Sequence, residues 1–320
     1  MIKKIFLENN SSNKHKKITK SKNVYVIGGL IFLSSIFFLN LDLVIKILYL
    51  GIFIFGFMAD KNILKSASTR LFYQIILLSL FLIFADLRII ETRVIFLDKL
   101  ISNDILSFIF TLFCILILIN GSNFIDGVNL NLIGYYFIVT VFLYFLFINQ
   151  NLNLDIQNIK VNLIFLVIIL LLNCTGKIIS GDSGAYLISM NFSLILINLA
   201  NENPIISPFL IVLLLWYPAF ENLFSIIRKK NLSKSALTPD FAHFHQLLYL
   251  MISKKFKSKL LSNNLSGLTI NTYNFSIFIL AANFVNNTQA LIMLIIINII
   301  LYILCYLKMR TLIIKDNFII

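Results

Sequence analysis

Charge is scarce in this chain. Asp, Glu, Lys and Arg make up 13% of its 320 residues, while 59% are hydrophobic. A soluble domain carries roughly 25% charged and 45–50% apolar residues, so an ordinary globule is excluded. Cysteine is equally sparse. Cys114, Cys174 and Cys305 lie in or beside apolar runs without CxxC spacing, which leaves packing rather than a disulfide framework or zinc site. Acidic residues number 14 against 27 basic ones, for a net charge of +13. In a soluble protein that excess would suggest nucleic acid. In a membrane chain it reports cytoplasmic loops and anionic headgroups, and no nucleic-acid partner is expected. The first twenty residues are rich in Lys and Asn and lack the apolar core of a signal peptide. There is no Ser-His-Asp arrangement and no Walker loop. Gly28-Gly29 lacks the GxGxxG pattern of a dinucleotide site.

Long apolar runs are present instead. A membrane span needs about 20 residues, and the runs at 24–40, 42–58, 70–86, 104–119, 130–148, 157–173, 185–200, 204–220, 270–286 and 288–307 predict an all-α, polytopic bundle of about ten spans. The chain then divides into a basic tail (1–23), one transmembrane domain (24–307) and a C-terminal tail (308–320). Ten spans put both termini on one side. With that side cytoplasmic, all 27 basic residues face the cytoplasm except Lys46, Arg88, Arg93, Lys99 and Lys160, as the positive-inside rule requires. The segment 87–103 reads as an amphipathic stretch on the external surface. The loops 59–70, 120–129, 174–184 and 221–269 all fall on the cytoplasmic face, and they hold the chain's chemically capable side chains. A transport pathway would instead place polar groups near the midplane.

Four of these loops carry patterns. Residues 120–129 (Asn-Gly-Ser-Asn-Phe-Ile-Asp-Gly-Val-Asn) form a polar island between two spans. The amides of Asn120, Asn123 and Asn129, the carboxylate of Asp126 and two glycines suit a phosphorylated ligand; the plain alternative is a loop of turn formers. In Lys177-Ile-Ile-Ser-Gly-Asp-Ser-Gly184, Asp182 stands on a tight turn. It can supply one ligand of a hydrated Mg²⁺ while free backbone amides face phosphate oxygens, or the turn merely reverses the chain. Two of the three histidines, His243 and His245, sit beside Asp240. They are candidates for contact with a diphosphate, and as a zinc site the pair is incomplete. Asp60 closes a span as a further acid or a solvated helix end. Asn173 is a candidate amide for a sugar or uridine, and Lys177 and Arg228 add positive charge near the phosphates.

In combination and order, these motifs resemble those of the polyprenyl-phosphate N-acetylhexosamine-1-phosphate transferases. The likeness rests on Gly28-Gly29; on Gly56, Asp60, Arg70, Leu71 and Gln74; on Asn120, Asn123, Asp126, Gly127 and Asn129; on Gly181, Asp182 and Gly184; and on Pro239, Asp240, His243 and His245. It spans roughly residues 24–307. The resemblance implies Mg²⁺-dependent transfer (Mn²⁺ as a substitute) of a sugar 1-phosphate from a UDP-N-acetylhexosamine to undecaprenyl phosphate, releasing UMP. It also implies a multi-pass protein of the bacterial inner membrane, and homodimers. By resemblance Asp182 binds the metal. Asp60 and Asp126 organise acceptor phosphate and metal, and His243 and His245 contact the donor diphosphate. The chain departs from the pattern in three places. Ala59 replaces the first of two adjacent acids, and Asn23-Val-Tyr-Val26 replaces a Pro-x-Pro-Arg. His-Phe-His-Gln lacks the third consecutive His of the peptidoglycan branch, which favours an O-antigen or capsule-like role. The resemblance also leads us to expect that the family's first helix is missing, in keeping with ten spans and a cytoplasmic N-terminus. Two other readings stay open: a relative that binds lipid-linked sugar without turnover, and a transporter.

Overall fold

The computed structural model describes residues 24–150, 152–231 and 242–315. It is built from helices, with one two-stranded parallel contact. In chain order these are β1 (Tyr25–Val26), α1 (Gly28–Ile36), α2 (Leu43–Asp60), α3 (Ala67–Phe84), α4 (Ile95–Ile101), α5 (Asp104–Ile125), α6 (Asn131–Gln150), α7 (Ile156–Asn173), β2 (Ile178–Ile179), α8 (Gly181–Glu202), α9 (Pro208–Leu214), α10 (Trp216–Asn231), α11 (Phe244–Lys255), α12 (Lys259–Ala281) and α13 (Thr288–Lys315). Among the described residues eight helices are long and apolar enough to cross a membrane, or nine if the bent pair α9–α10 is one span. The protein is an all-α, multi-pass membrane protein.

The expected count of ten full spans is therefore corrected at two places, each for a physical reason. The run 24–40 yields a helix of nine residues, about 14 Å long where the hydrocarbon core is about 30 Å. Its start is taken up by β1, which pairs Tyr25 with Ile178 and Val26 with Ile179. Even so, the segment travels the length of α7, since β1 lies by the strand that follows α7 while the Asn40 N–H donates to Asn158 Oδ1 in its first turn (2.8 Å). The run 204–220 breaks into α9 and α10, bent by 71°. Pro218 is responsible: it has no N–H to return to the carbonyl of Leu214, and that orphaned oxygen instead accepts from Tyr135 Oη (2.9 Å). Of the segment 87–103, expected on the external surface, only Ile95–Ile101 is helical. The last helix runs on to Lys315 rather than ending at 307.

The centre of the bundle is α8, 83% of whose spanning window is buried, against 22% for α3 and α13 at the periphery. Its small and polar residues explain why. In lipid, helices associate through close backbone approach and interhelical hydrogen bonds. A side chain on Gly29 would collide with Gly184, and one on Gly56 with the backbone of Ser183, so α1 and α2 lie directly against α8. Deeper in, Asn191 of α8 donates to Asn162 of α7 (2.9 Å) and accepts from Tyr49 of α2 (3.4 Å). These contacts fix where the first turn of α8 sits.

Candidate functional site

Three acids from three parts of the sequence meet at the start of α8. Asp60, the last residue of α2, accepts from the backbone N–H of Asp182 (2.7 Å) and from the N–H and Oγ of Ser183 (3.1 and 2.8 Å). Asp126, at the end of α5, accepts from the N–H of Gly181 (3.0 Å). A helix N-terminus carries unpaired N–H groups and partial positive charge, which is why carboxylates settle there. Gly181 has φ +69°, a left-handed conformation that favours glycine, and a Cβ there would meet the Asp60 oxygens. Asp182 is buried, and its Oδ2 pairs with Arg70 Nη1 of α3 (3.2 Å).

This corrects one expectation. The amides of the Gly181–Gly184 turn do not face outward toward phosphate oxygens. Gly181, Asp182 and Ser183 donate to Asp126 and Asp60, and Gly184 donates to the Ser180 carbonyl (3.2 Å).

The histidines occupy a second cluster. His243 caps α11, and its Nδ1 lies 2.8 Å from Glu221 Oε1 of α10. Its ring stacks on that of His245 at 5.7 Å and meets Phe124 at 5.1 Å, tilted by 42°. His245 is fully buried, and neither ring nitrogen has a hydrogen-bond partner. Burial, reinforced by His243 and opposed by Glu221, pushes its imidazole down to about 3, so it is neutral at physiological pH. Buried Arg228 donates to the Ala242 carbonyl (2.5 Å) and to Tyr306 Oη (3.1 Å). Lys229, also buried, lies over the Phe124 ring at 5.6 Å.

The polar island 120–129 joins the two clusters. Asp126 reaches α8, Phe124 packs against His243, and Gly127 lies so close to His245 that a Cβ there would strike the imidazole. Asn120 donates to Gln74 Oε1 (3.1 Å), tying the island to the helix that carries Arg70. Asn123 keeps a buried Oδ1 without a hydrogen-bond partner.

Other predicted residues serve the scaffold. Asn129 donates through its N–H to Asn263 Oδ1 (2.5 Å) and through its amide to Asn264 Oδ1 (2.8 Å). Asn173, expected at a sugar or uridine, is turned inward, accepting from the Leu130 N–H (2.6 Å) and donating to the Ile178 carbonyl (2.7 Å). Leu130 has φ +63°, a conformation costly for a non-glycine residue, and Asn271 of α12 holds its carbonyl (2.7 Å). These two amides secure that turn. The Lys177 side chain is exposed, and its carbonyl accepts from the Tyr25 N–H (2.8 Å). Asp240 lies outside the described residues. Glu221, Tyr302 and Lys229 went unread in the sequence. The one available signal was Glu221 as an isolated acid within the apolar stretch 204–224, since ionisable groups in such stretches are costly.

Among the described residues, no three His, Cys, Asp or Glu side chains are grouped to hold a metal ion by themselves. Fold and site together define a polytopic membrane protein whose acids gather at one helix start. Residues 43–200, which contain all three of those acids, match the model of glycosyl transferase family 4, the polyprenyl-phosphate hexose-1-phosphate transferases. Over these residues, a little under half of the chain, the sequence is similar to that family. No curated protein matches the chain.

Proposed function

We propose that this protein transfers N-acetylhexosamine 1-phosphate from a UDP-sugar to undecaprenyl phosphate, releasing UMP and beginning a lipid-linked cell-envelope glycan. The observation that carries this reading is the convergence of Asp60, Asp126 and Asp182 within the family region, with Arg70 on Asp182. In the reaction an oxygen of the lipid phosphate bonds to the phosphorus that bears the sugar. The bond from that phosphorus to the bridging oxygen breaks, and UMP leaves with it. Such a transfer depends on positioning and charge neutralisation more than on covalent chemistry.

Asp60 and Asp126 tie down the first turn of α8 and so fix Asp182. Asp182 is the side chain we assign to Mg²⁺, with Mn²⁺ as a substitute. One carboxylate suits this ion, which completes its shell with substrate phosphates and water. Bound there, the metal would neutralise charge on the diphosphate and the leaving group. His243 is assigned to the donor diphosphate. The end of the bundle bearing the acids also carries Lys61, Lys65, Lys177, Lys230 and Lys254–Lys259, and the positive-inside rule makes that end cytoplasmic in a bacterial inner membrane.

Ala59 favours one competing reading, a relative that binds lipid-linked sugar without turnover, because the family's first acid is missing there. The test is to place the purified chain in nanodiscs with undecaprenyl phosphate, Mg²⁺ and each of several UDP-N-acetylhexosamines. Equal amounts of UMP and lipid-linked sugar are expected with at least one donor. Folded protein that yields neither with any donor would sink the turnover claim in favour of the non-turnover reading.

A further inference from the structure

The buried carboxylate of Glu221 has no place in the reaction as drawn, yet it is the most heavily engaged acid in the histidine cluster. It is 0% exposed. Its Oε1 lies 2.8 Å from His243 Nδ1 and also accepts from the Phe244 N–H (3.4 Å). Its Oε2 accepts from Tyr302 Oη of α13 (2.6 Å). Two turns along α10, Arg228 holds the carbonyl of Ala242, the residue just before His243. From the other side, the His243 N–H donates to Gln246 Oε1 (3.3 Å). The ring and backbone of His243 are thus gripped from α10 and α11, with α13 bracing the carboxylate.

Packing does not call for an acid here. An apolar residue of similar size would fill the space without the desolvation cost of a buried charge. What a carboxylate adds is chemical: it can only accept, so the imidazole nitrogen facing it must carry the proton. A histidine's two nitrogens are distinct, and the bond made by one decides what the other can do.

We propose that Glu221 is a positioning residue for the transfer reaction: it fixes the ring of His243 through a proton on Nδ1 and points Nε2 at the donor phosphates, to which that nitrogen donates once it too carries a proton. This rests on the transferase reading given above. The chain has three histidines (His15, His243 and His245), so ¹⁵N-histidine NMR of the full-length protein in nanodiscs can resolve each tautomer, with His15→Gln and His245→Gln giving the assignment. In the wild type and in Glu221→Gln, which keeps an accepting oxygen, the His243 proton is expected on Nδ1. Glu221→Leu should move it to Nε2 and lower kcat for UMP release by about 10- to 100-fold, the usual effect of removing a partner that orients a histidine, with KM nearly unchanged. In a His243→Ala background the same change should cost nothing further. If Glu221→Leu does not fold, Glu221→Asp, one methylene short of His243, carries the same test. An unchanged His243 tautomer, or a full loss of rate in the His243→Ala background, would overturn the proposal. A wild type that releases no UMP but shows the tautomer shift would refute the transferase reading and leave the positioning of His243 standing.

Discussion

The acid cluster and the histidine cluster use ionisable groups in opposite ways. At the start of α8 carboxylates meet backbone N–H groups, so the charge of Asp60 and Asp126 stabilises a helix terminus. At the head of α11 a carboxylate meets an imidazole, so the charge of Glu221 orients a side chain. The first cluster is architecture that delivers one acid, Asp182. The second is a relay of contacts that delivers one ring, His243. Both rest on the island 120–129, which puts Asp126 against one and Gly127 against the other.

This contrast can be broken at four points, in order of decreasing effect. Removing divalent metal with a chelator should stop transfer entirely, and adding back Mg²⁺ or Mn²⁺ should restore it; UMP release that survives chelation would remove the metal from the account. Asp60→Ala should act on stability before chemistry. It leaves two backbone N–H groups at the α8 terminus without their acceptor, a loss of about 2–3 kcal/mol that a thermal melt in detergent would register. A melt unchanged from wild type would mean that Asp60 is not the cap described here. Gly127→Ala drives a methyl into His245, and overpacking of this kind costs about 1–3 kcal/mol. It should disturb the His245 resonances while leaving Asp126 on Gly181, and an undisturbed His245 spectrum would contradict the close contact.

The smallest effect concerns pH. The folded value of His245, about 3, lies below its ordinary 6.5, so as pH falls the unfolded chain takes up the proton first. Stability contributed above pH 6.5 is therefore lost progressively between about 6.5 and about 3. His245→Gln should flatten that part of the melting-temperature profile, and a slope identical to wild type would argue against a buried neutral His245.

How much of this was legible in the sequence differs between the two clusters. Asp60 stood out because it closes an apolar run, and Asp126 and Asp182 because each adjoins a glycine in a polar stretch between spans. Their convergence was implied by a shared membrane face. Their division of labour was not legible, since the pairing of Asp60 with the Asp182 N–H joins residues 122 positions apart. The histidine pair was equally visible, but Glu221 was not. It sits in a stretch whose composition says only that it is apolar, and its partner lies 22 residues away. The spans were read well where hydrophobicity alone decides, as in α6 and α7, whereas α5 runs six residues past its expected end, through Ile125 of the polar island. They were misread where backbone chemistry intervenes, at Pro218 and at the strand pairing of Tyr25–Val26.

The most direct test of the central claim is UMP release from a UDP-N-acetylhexosamine and undecaprenyl phosphate, titrated with Mg²⁺, for the wild type and Asp182→Asn side by side. The account predicts saturable activation by Mg²⁺ in the wild type. In Asp182→Asn it predicts a fall of at least about 100-fold, the scale of losing one fixed electrostatic contact to the transferring group, in a protein that melts near the wild-type temperature. Equal release by both proteins across the titration would contradict it.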